Sequence, residues 1–552
     1  MKVYERIAAA FLAEGVRSVF GLMGDGNMHW IDAMARGGCA MYHVRHEGPA
    51  VALADGWARV MRDRGSDLPG VATTTHGPGF SQLATTLLVA SRARTRLVVF
   101  VGEGPEGDNE FHQRLDHRRF AQAVECGFER VSSAEPDDAV RRAFMRSRAE
   151  SRPIVLSVTV RTQLLDSEDA DEPYQPTSGR NTRFAPAPDT LDCAVRIIEK
   201  SDRPVIIAGR GAVWSGAGAA VISLAERIGA LVATTLMTKN WLNHDPFHAG
   251  ISGNYSTRTS IKLFAEADCV IAVGAGLNKF TTAHGFLYPE ARFIHIDSDQ
   301  NARMGADMEA DCFVASDARL ALEAIVRRLT DDGFQATAFR TSEVADLLSR
   351  SLDDPTEYAV EAGTLDPRAV CRMLDSELPP AVGLVLGGGH QVNFGTMLMT
   401  KSRSLVLANQ HFGAIGQGLT TAMGAAVAAP DTPLVLLEGD AGFLMYLSEF
   451  ETAVRYELPL LVVVVNDQAL GAEFHKMALK GLDPALATIS TPDLGAVAVA
   501  LGGNGHLINS LEDLRSAVAE FMASPRPTVL DVRSSRTVLS VPYRRVHHGM
   551  DV

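Results

Sequence analysis

Residues 438–467 read EGDAGFLMYLSEFETAVRYELPLLVVVVND, and this stretch decides the fold. LVLLEGD ends as a buried strand ends, and Gly439, Ala441 and Gly442 bracket Asp440 in a tight strand-to-helix turn. The following FLMYLSEFETAVRYEL carries its apolar residues on one helical face. Pro459 stops it, and LLVVVV runs as a second strand to Asn466-Asp467. Ligands of open parallel sheets collect at the carboxyl ends of the strands, and both acids would lie there. Two carboxylates so placed repel one another unless a cation sits between them, and a hard divalent ion takes such acids together with phosphate oxygens. Asp440, Asp467 and the carbonyl of Ala469 are the candidate metal ligands. A βαβ unit with two solvated acidic turns fits Gly and Asp alone equally well.

The same alternation runs along the chain. LVVFVGE, PIVLSVTV, PVIIAGRG, CVIAVGAG and RFIHIDSD are short apolar runs bounded by Gly or Asp, with helix-period segments between them. Such runs suit strands buried on both faces of a parallel sheet, so the fold class is α/β. Polar stretches rich in Pro, Ser and acids at 166–189, and strand-poor sequence at 331–365, divide the 552 residues into three domains. The expected limits are 1–165, 189–330 and 364–552, each a largely parallel sheet flanked by helices.

The formal net charge of −14 argues against nucleic acid or an anionic membrane as partner. Six scattered cysteines with no CxxC read as thiols in a reducing compartment. The first residues, MKVYERIAAAFLAEGV, form an amphipathic helix with Glu5 inside it, unlike a signal peptide. No apolar run reaches the ~20 residues of a membrane span. A soluble cytoplasmic protein is expected.

GDAGF followed by VVVVND, with 24 residues (442–465) between Ala441 and Asn466, resembles the GDG…NN signature of thiamine-diphosphate enzymes. The chain departs from that signature at Ala441, where Gly is usual, and at Asp467, where a second Asn usually ligates the metal. Upstream, VRHEGPAVALADGWARV (44–60), ATTTHGPGFSQL (72–83) and HQRLD (112–116) are similar, in order and spacing, to the family's pyrimidine-binding motifs. GGGHQV (387–392) and NQHFGAIGQGL (409–419) resemble its diphosphate-contact stretch and the loop whose apolar residue bends the cofactor. The resemblance covers essentially the whole chain and is to the acetolactate synthase, pyruvate decarboxylase and benzoylformate decarboxylase superfamily, with the acetolactate-synthase-like group nearest.

What the resemblance implies is specific. Glu47 is the catalytic glutamate that hydrogen-bonds N1′ of the aminopyrimidine and so favours the ylide. Gly77, His390, Gly413, Ile415, Gly439, Asp440, Ala441, Gly442, Asp467 and Ala469 contact the cofactor or its Mg²⁺. The implied reaction is decarboxylation of a 2-oxo acid through an enamine, carboligation to a 2-hydroxy ketone or acetohydroxy acid, or both. Alternatives are a C–C lyase acting on a 2-hydroxy ketone or diketone, and a non-catalytic regulatory homologue. The small-molecule partner is a 2-oxo acid or an aldehyde.

DQALGAEFHKM (467–477) would run along the cleft with Glu473 and His475, and His76 and His112 replace the usual Ser and Phe. These four are candidate proton carriers and suggest a pocket more polar than that of acetolactate synthase. In the middle segment GAGLNKFTT stands where flavin-binding members read GxRFDDR, so no FAD is expected. A homodimer or homotetramer with active sites between subunits is implied, the first domain of one subunit facing the last domain of another.

Overall fold

A computed structural model describes residues 1–105, 110–167, 173–177, 183–302, 304–305, 309–350 and 354–548. It contains three six-stranded sheets, and every strand pairing is parallel. The first holds β1 (Ser18–Gly21), β2 (Ala40–His43), β3 (Gly70–Thr74), β4 (Leu97–Glu103), β5 (Gly127–Arg130) and β6 (Pro153–Thr159), in the order β2-β1-β3-β4-β6-β5. The second holds β7 (Pro204–Ala208), β8 (Leu231–Thr234), β9 (His248–Ile251), β10 (Cys269–Val273), β11 (Arg292–Asp297) and β12 (Cys312–Ala315). Its order is β12-β11-β10-β7-β8-β9. The third holds β13 (Gly383–Leu386), β14 (Val406–Ala408), β15 (Leu434–Gly439), β16 (Leu460–Asn466), β17 (Asn504–Ile508) and β18 (Thr528–Arg533), in the order β14-β13-β15-β16-β18-β17.

The apolar runs became central strands for the reason their sequence suggests. Every residue of β16 is buried, as helices cover both faces of the sheet and leave no polar side to alternate with. The first and third sheets share one strand order, each strand of the third matching the one twelve places earlier. The middle sheet has the order 3-2-1-4-5-6 in its own numbering, that of dinucleotide-binding sheets. The polar stretch at 166–189 lies partly outside the described residues. At 331–365 the described residues contain the helix Ser342–Ser349 and no strand. Among the described residues no helix is long and apolar enough to cross a membrane.

One hydrophobic core runs through the first and third domains without a break, from Phe20, Leu53 and Phe80 to Leu419, Met423 and Phe450. Its centre is a pair of helices, Glu47–Asp63 and Gly418–Ala428, occupying equivalent places after β2 and β14. They touch backbone to backbone, and the contact is reciprocal. A Cβ on Gly56 would lie 2.1 Å from the Thr421 carbonyl oxygen, and one on Gly424 would lie 1.9 Å from that of Leu53. Neither obstacle is a side chain that can swing away. Gly56→Ala is therefore expected to destabilise the protein by about 1–3 kcal/mol, through forced separation of the two helices. A thermal melt checks this, and an unchanged melting temperature would refute the close approach.

Candidate active site

The opening stretch folds as a strand, two short helices, Asp440–Met445 and Ser448–Arg455, and a second strand, so the single helix expected there is broken at Tyr446 and Leu447. Asp440 is the first residue of the helix Asp440–Met445 and Asp467 follows the last residue of β16, on adjacent strands. Both are almost wholly buried, at 3% and 2% exposure. Burial, then the charge of Asp467, holds Asp440 well above the ordinary carboxylate range, and burial raises Asp467 as well. Gln391 Nε2 donates to Asp467 Oδ2, and the Ala469 N–H donates to Oδ1 at 3.2 Å. The Leu470 N–H to the Ala487 carbonyl and the Ile489 N–H to the Gln468 carbonyl, both 2.8 Å, fix the loop around Ala469. Asn466 turns away, donating to Asp531 Oδ1 at 2.7 Å and to Thr491 Oγ1 at 2.9 Å.

His390 stands beside this pair. The Ser540 N–H donates to its Nε2 at 3.1 Å, so in the neutral ring the hydrogen sits on Nδ1. Burial, then the neighbouring His475, holds the ring well below the usual imidazole range and thus neutral. Its Nδ1 is buried without a partner. It lies near Gly471, whose Cα hydrogen faces Asp467 Oδ2; a Cβ there would be 2.6 Å from that oxygen and 3.6 Å from His390 Nδ1. Ile415 is only half buried and packs over the glycine turn, its Cγ2 lying 3.2 Å from where a Cβ on Gly388 would sit. Gly413 has φ +74°, and a Cβ on Gly413 or Gly439 would meet nothing within 4 Å, so both border open space.

The motif residues of the first domain form a second group. Glu47 opens its helix, and its Oε1 lies 3.3 Å from where a Cβ on Gly79 would sit. Among the described residues its carboxylate makes no hydrogen bond, while the neighbouring Arg45 and His46 N–H groups both donate to Glu449 Oε1 at 2.9 Å. Gly77 takes φ +48° because its turn presses on Gln113; a Cβ there would be 2.2 Å from the Gln113 carbonyl oxygen. His76 is buried, with its ring 5.2 Å from that of Phe111, and burial lowers its pKa. His112 is exposed, with its ring 5.6 Å from that of Phe111.

The segment 467–477 separates its two titratable residues. His475 is buried, with its ring 4.7 Å from that of His390, and the ring of Tyr543 lies against both. Glu473 points outward, its side chain 51% exposed, in a 2.8 Å ion pair with Lys476.

Two acids escaped the sequence reading. Glu438 is wholly buried and accepts the Gly388 N–H at 3.2 Å and the Gly439 N–H at 3.1 Å through Oε1. Burial pushes its pKa up to about 7. Gly387, Gly418 and Gly442 crowd its carboxyl so closely that a Cβ on any of them would come within 2.7 Å. It thereby joins the three turns that border Asp440. Glu449 ties the entry to Glu47 as described. The signal for both was an acid placed among apolar residues where a strand or helix face is buried.

Consecutive parts of the chain match three models of one enzyme family. Residues 1–120 match the thiamine pyrophosphate enzyme N-terminal TPP binding domain, 191–325 the central domain and 387–532 the C-terminal TPP binding domain. The chain belongs to the thiamine pyrophosphate enzymes. It is 28% identical to a sulfoacetaldehyde acetyltransferase of Castellaniella defragrans, over 98% of this chain and 94% of that protein. It is 27% identical to a probable acetolactate synthase large subunit of Methanocaldococcus jannaschii, over 96% and 92%, and 28% identical to the acetolactate synthase large subunit of Parasynechococcus marenigrum, over 96% and 86%. The protein is thus a thiamine-diphosphate-dependent enzyme of the acetolactate-synthase-like kind, whose reaction class is decarboxylation or carboligation.

The residues fit that cofactor. A buried Nδ1–H without an acceptor matches a diphosphate oxygen, and two buried neighbouring acids held above the ordinary carboxylate range match a divalent cation. Among the described residues no three His, Cys, Asp or Glu side chains cluster to hold a metal by themselves. A cation here would take its remaining ligands from a backbone carbonyl and from the thiamine diphosphate.

Proposed function

We propose that the protein decarboxylates a 2-oxo acid, ligates the resulting nucleophilic acyl unit to a second carbonyl, or does both. Mg²⁺ would be held by Asp440, Asp467 and the Ala469 carbonyl, with His390 donating to the diphosphate. The observation that carries this reading is the buried pair Asp440 and Asp467, both held above the ordinary carboxylate range at adjacent strand ends, beside the unpartnered His390 Nδ1. Thiamine diphosphate, when bound, supplies a carbon nucleophile and an electron sink.

The chain's own residues orient it and manage protons. Ile415 would brace it from the glycine turn, and the backbone of Gly413, Gly439, Ala441 and Gly442 would line it. Glu47 would hold a proton at the pyrimidine ring nitrogen, with Gly77 giving its backbone close access. His475, whose ring lies tilted against that of His390, is the titratable side chain of 467–477 whose burial best suits work above the cofactor. His76 would serve the pyrimidine side from its buried place, while His112 and Glu473, both exposed, would act at the mouth. Cleavage of a 2-hydroxy ketone is the same bond chemistry run in the other direction, and cleavage of a diketone would in addition need water to take up the acyl group.

A flavin-free middle domain is part of the proposal. At its switch point Gly209 and Gly211 pack directly on Gly274; a Cβ on Gly209 would be 2.3 Å from the Gly274 oxygen, and one on Gly211 would be 2.7 Å from its Cα. These glycines serve the packing of one turn on another, which supports that reading.

The test is CO₂ release from pyruvate and from benzoylformate with thiamine diphosphate and Mg²⁺ added, with product analysis for hydroxy ketones. Turnover is expected only with both additions, from a species of dimer mass or larger on sizing, with no flavin absorbance. Failure on every 2-oxo acid and hydroxy ketone would refute the reaction, and full activity in a monomer would refute the shared site.

A further inference from the structure

The helix that begins at Glu47 ends at Asp63, about 24 Å away at 1.5 Å per residue, and its far end meets all three domains. A cleft with about 350 Å³ of free space, its open mouth included, lies there. Its walls are Arg62 and Asp63 of that helix, Arg94 and Arg96 before β4, and Arg210 and Trp214 of the middle domain. Arg62 lies flat on the indole of Trp214, 3.3 Å from the ring centroid, and Arg210 lies over the same ring at 5.1 Å.

The charges do not balance. Arg59 and Arg94 are paired with Asp55 and Asp299. Arg62 donates only to neutral oxygens, the Arg94 carbonyl at 3.1 Å and Ser151 Oγ at 3.3 Å, and Arg210 donates to the Ala93 carbonyl at 2.8 Å. Arg96 Nε is buried without a partner. Among the described residues none of these three arginines has an ion pair. The acids facing them are Asp63, whose Oδ1 accepts from Trp214 Nε1 at 3.0 Å, and Asp67 beyond Arg96. Burial, then the neighbouring guanidiniums, depresses Arg62 to about 8, and burial depresses Arg210 to about 10. Like charges gathered in a partly dry cleft cost stability unless an anion joins them.

We propose that this three-domain cleft binds a phosphate group, free or carried by a phosphate ester, as a site separate from that of the cofactor diphosphate. Guanidinium forks match phosphate oxygens, and three of them converge here. Among the described residues Trp214 is the one aromatic side chain in the cleft wall, and Arg62 already covers its ring at 3.3 Å, so the recognised element is the phosphate and not a stacked base. The site is wired to the active site at both ends of its own helix. Arg59, one turn before Arg62, donates to the Ala408 carbonyl at 2.8 Å and to Asn409 Oδ1 at 2.9 Å, where the loop bearing Gly413 and Ile415 begins.

The test uses the full enzyme saturated with thiamine diphosphate and Mg²⁺, at ionic strength fixed with chloride. Inorganic phosphate and ADP are titrated separately. At least one should give a saturable change in tryptophan emission and raise the melting temperature by about 2 °C at saturation. Response to phosphate alone identifies a free-phosphate site, and response to ADP alone identifies an ester site. Arg62→Gln and Arg210→Gln should each weaken the response at least tenfold with turnover kept within about twofold. Arg96→Gln replaces either variant that does not fold. Trp214→Phe should remove the emission change and keep the melting shift. No saturable response to either probe would overturn the proposal, as would an affinity unchanged in the arginine variants, which would assign binding to the cofactor site.

Discussion

Glu47→Gln is expected to lower kcat by about 10²–10⁴ with thiamine diphosphate still retained. Glutamine fills the same volume at the start of the helix and still offers hydrogen bonds, but it cannot exchange a proton with the pyrimidine ring nitrogen. The structure makes the substitution a clean probe. Among the described residues the Glu47 carboxylate has no partner within the chain, and the anchor of this helix entry is Glu449, which accepts the N–H groups of Arg45 and His46. Folding should therefore be indifferent to the change, with a melting temperature within about 1 °C of the parent. Turnover and cofactor titration on the same preparation test it. A variant with parental kcat would mean that another group activates the cofactor. A variant that loses cofactor as well would mean that Glu47 binds more than it catalyses.

What the sequence made legible follows from how local each feature is. GDAGF and VVVVND could be placed because a buried run ending in Gly or Asn specifies a strand end, and two strand ends on one sheet put Asp440 beside Asp467. The common strand order of the first and third sheets was out of reach, since pairing order depends on contacts between strands far apart in the chain. The closeness of Gly56 to Thr421 and of Gly424 to Leu53 was equally hidden, because a glycine that serves docking looks like any glycine in a helix. Glu473 and His475 were legible in principle. Two residues on a helix point about 200° apart, so one of the pair had to face away from the cleft, and that one is Glu473. Glu438 was legible in the same way. An acid one residue inside a buried strand end must be satisfied by something, and here the partners are backbone N–H groups of glycine turns.

Asp440→Asn should move stability and cofactor binding in opposite directions. In the cofactor-free protein, burial raises both Asp440 and Asp467, and the charge of Asp467 raises Asp440 further, above ordinary carboxylates, which titrate near about 4. The folded state then binds protons that the unfolded chain has released. Stability from this pair accordingly falls as pH rises above the carboxylate range and through neutrality. Asparagine keeps the shape, can donate to Asp467, and carries no charge to be buried. The cofactor-free variant is therefore expected to be more stable than the parent at pH 8, by about 1 kcal/mol or about 2–4 °C in melting temperature, with little difference at pH 5. Its Mg²⁺-dependent retention of thiamine diphosphate should weaken at least about a hundredfold, because one of two carboxylates is lost from the cation. Melting curves of stripped protein from pH 5 to 8, with a Mg²⁺ titration of cofactor binding, read both effects. A variant destabilised at pH 8 that still binds the cofactor with parental Mg²⁺ dependence would show that the two acids are a structural pair and no part of a metal site.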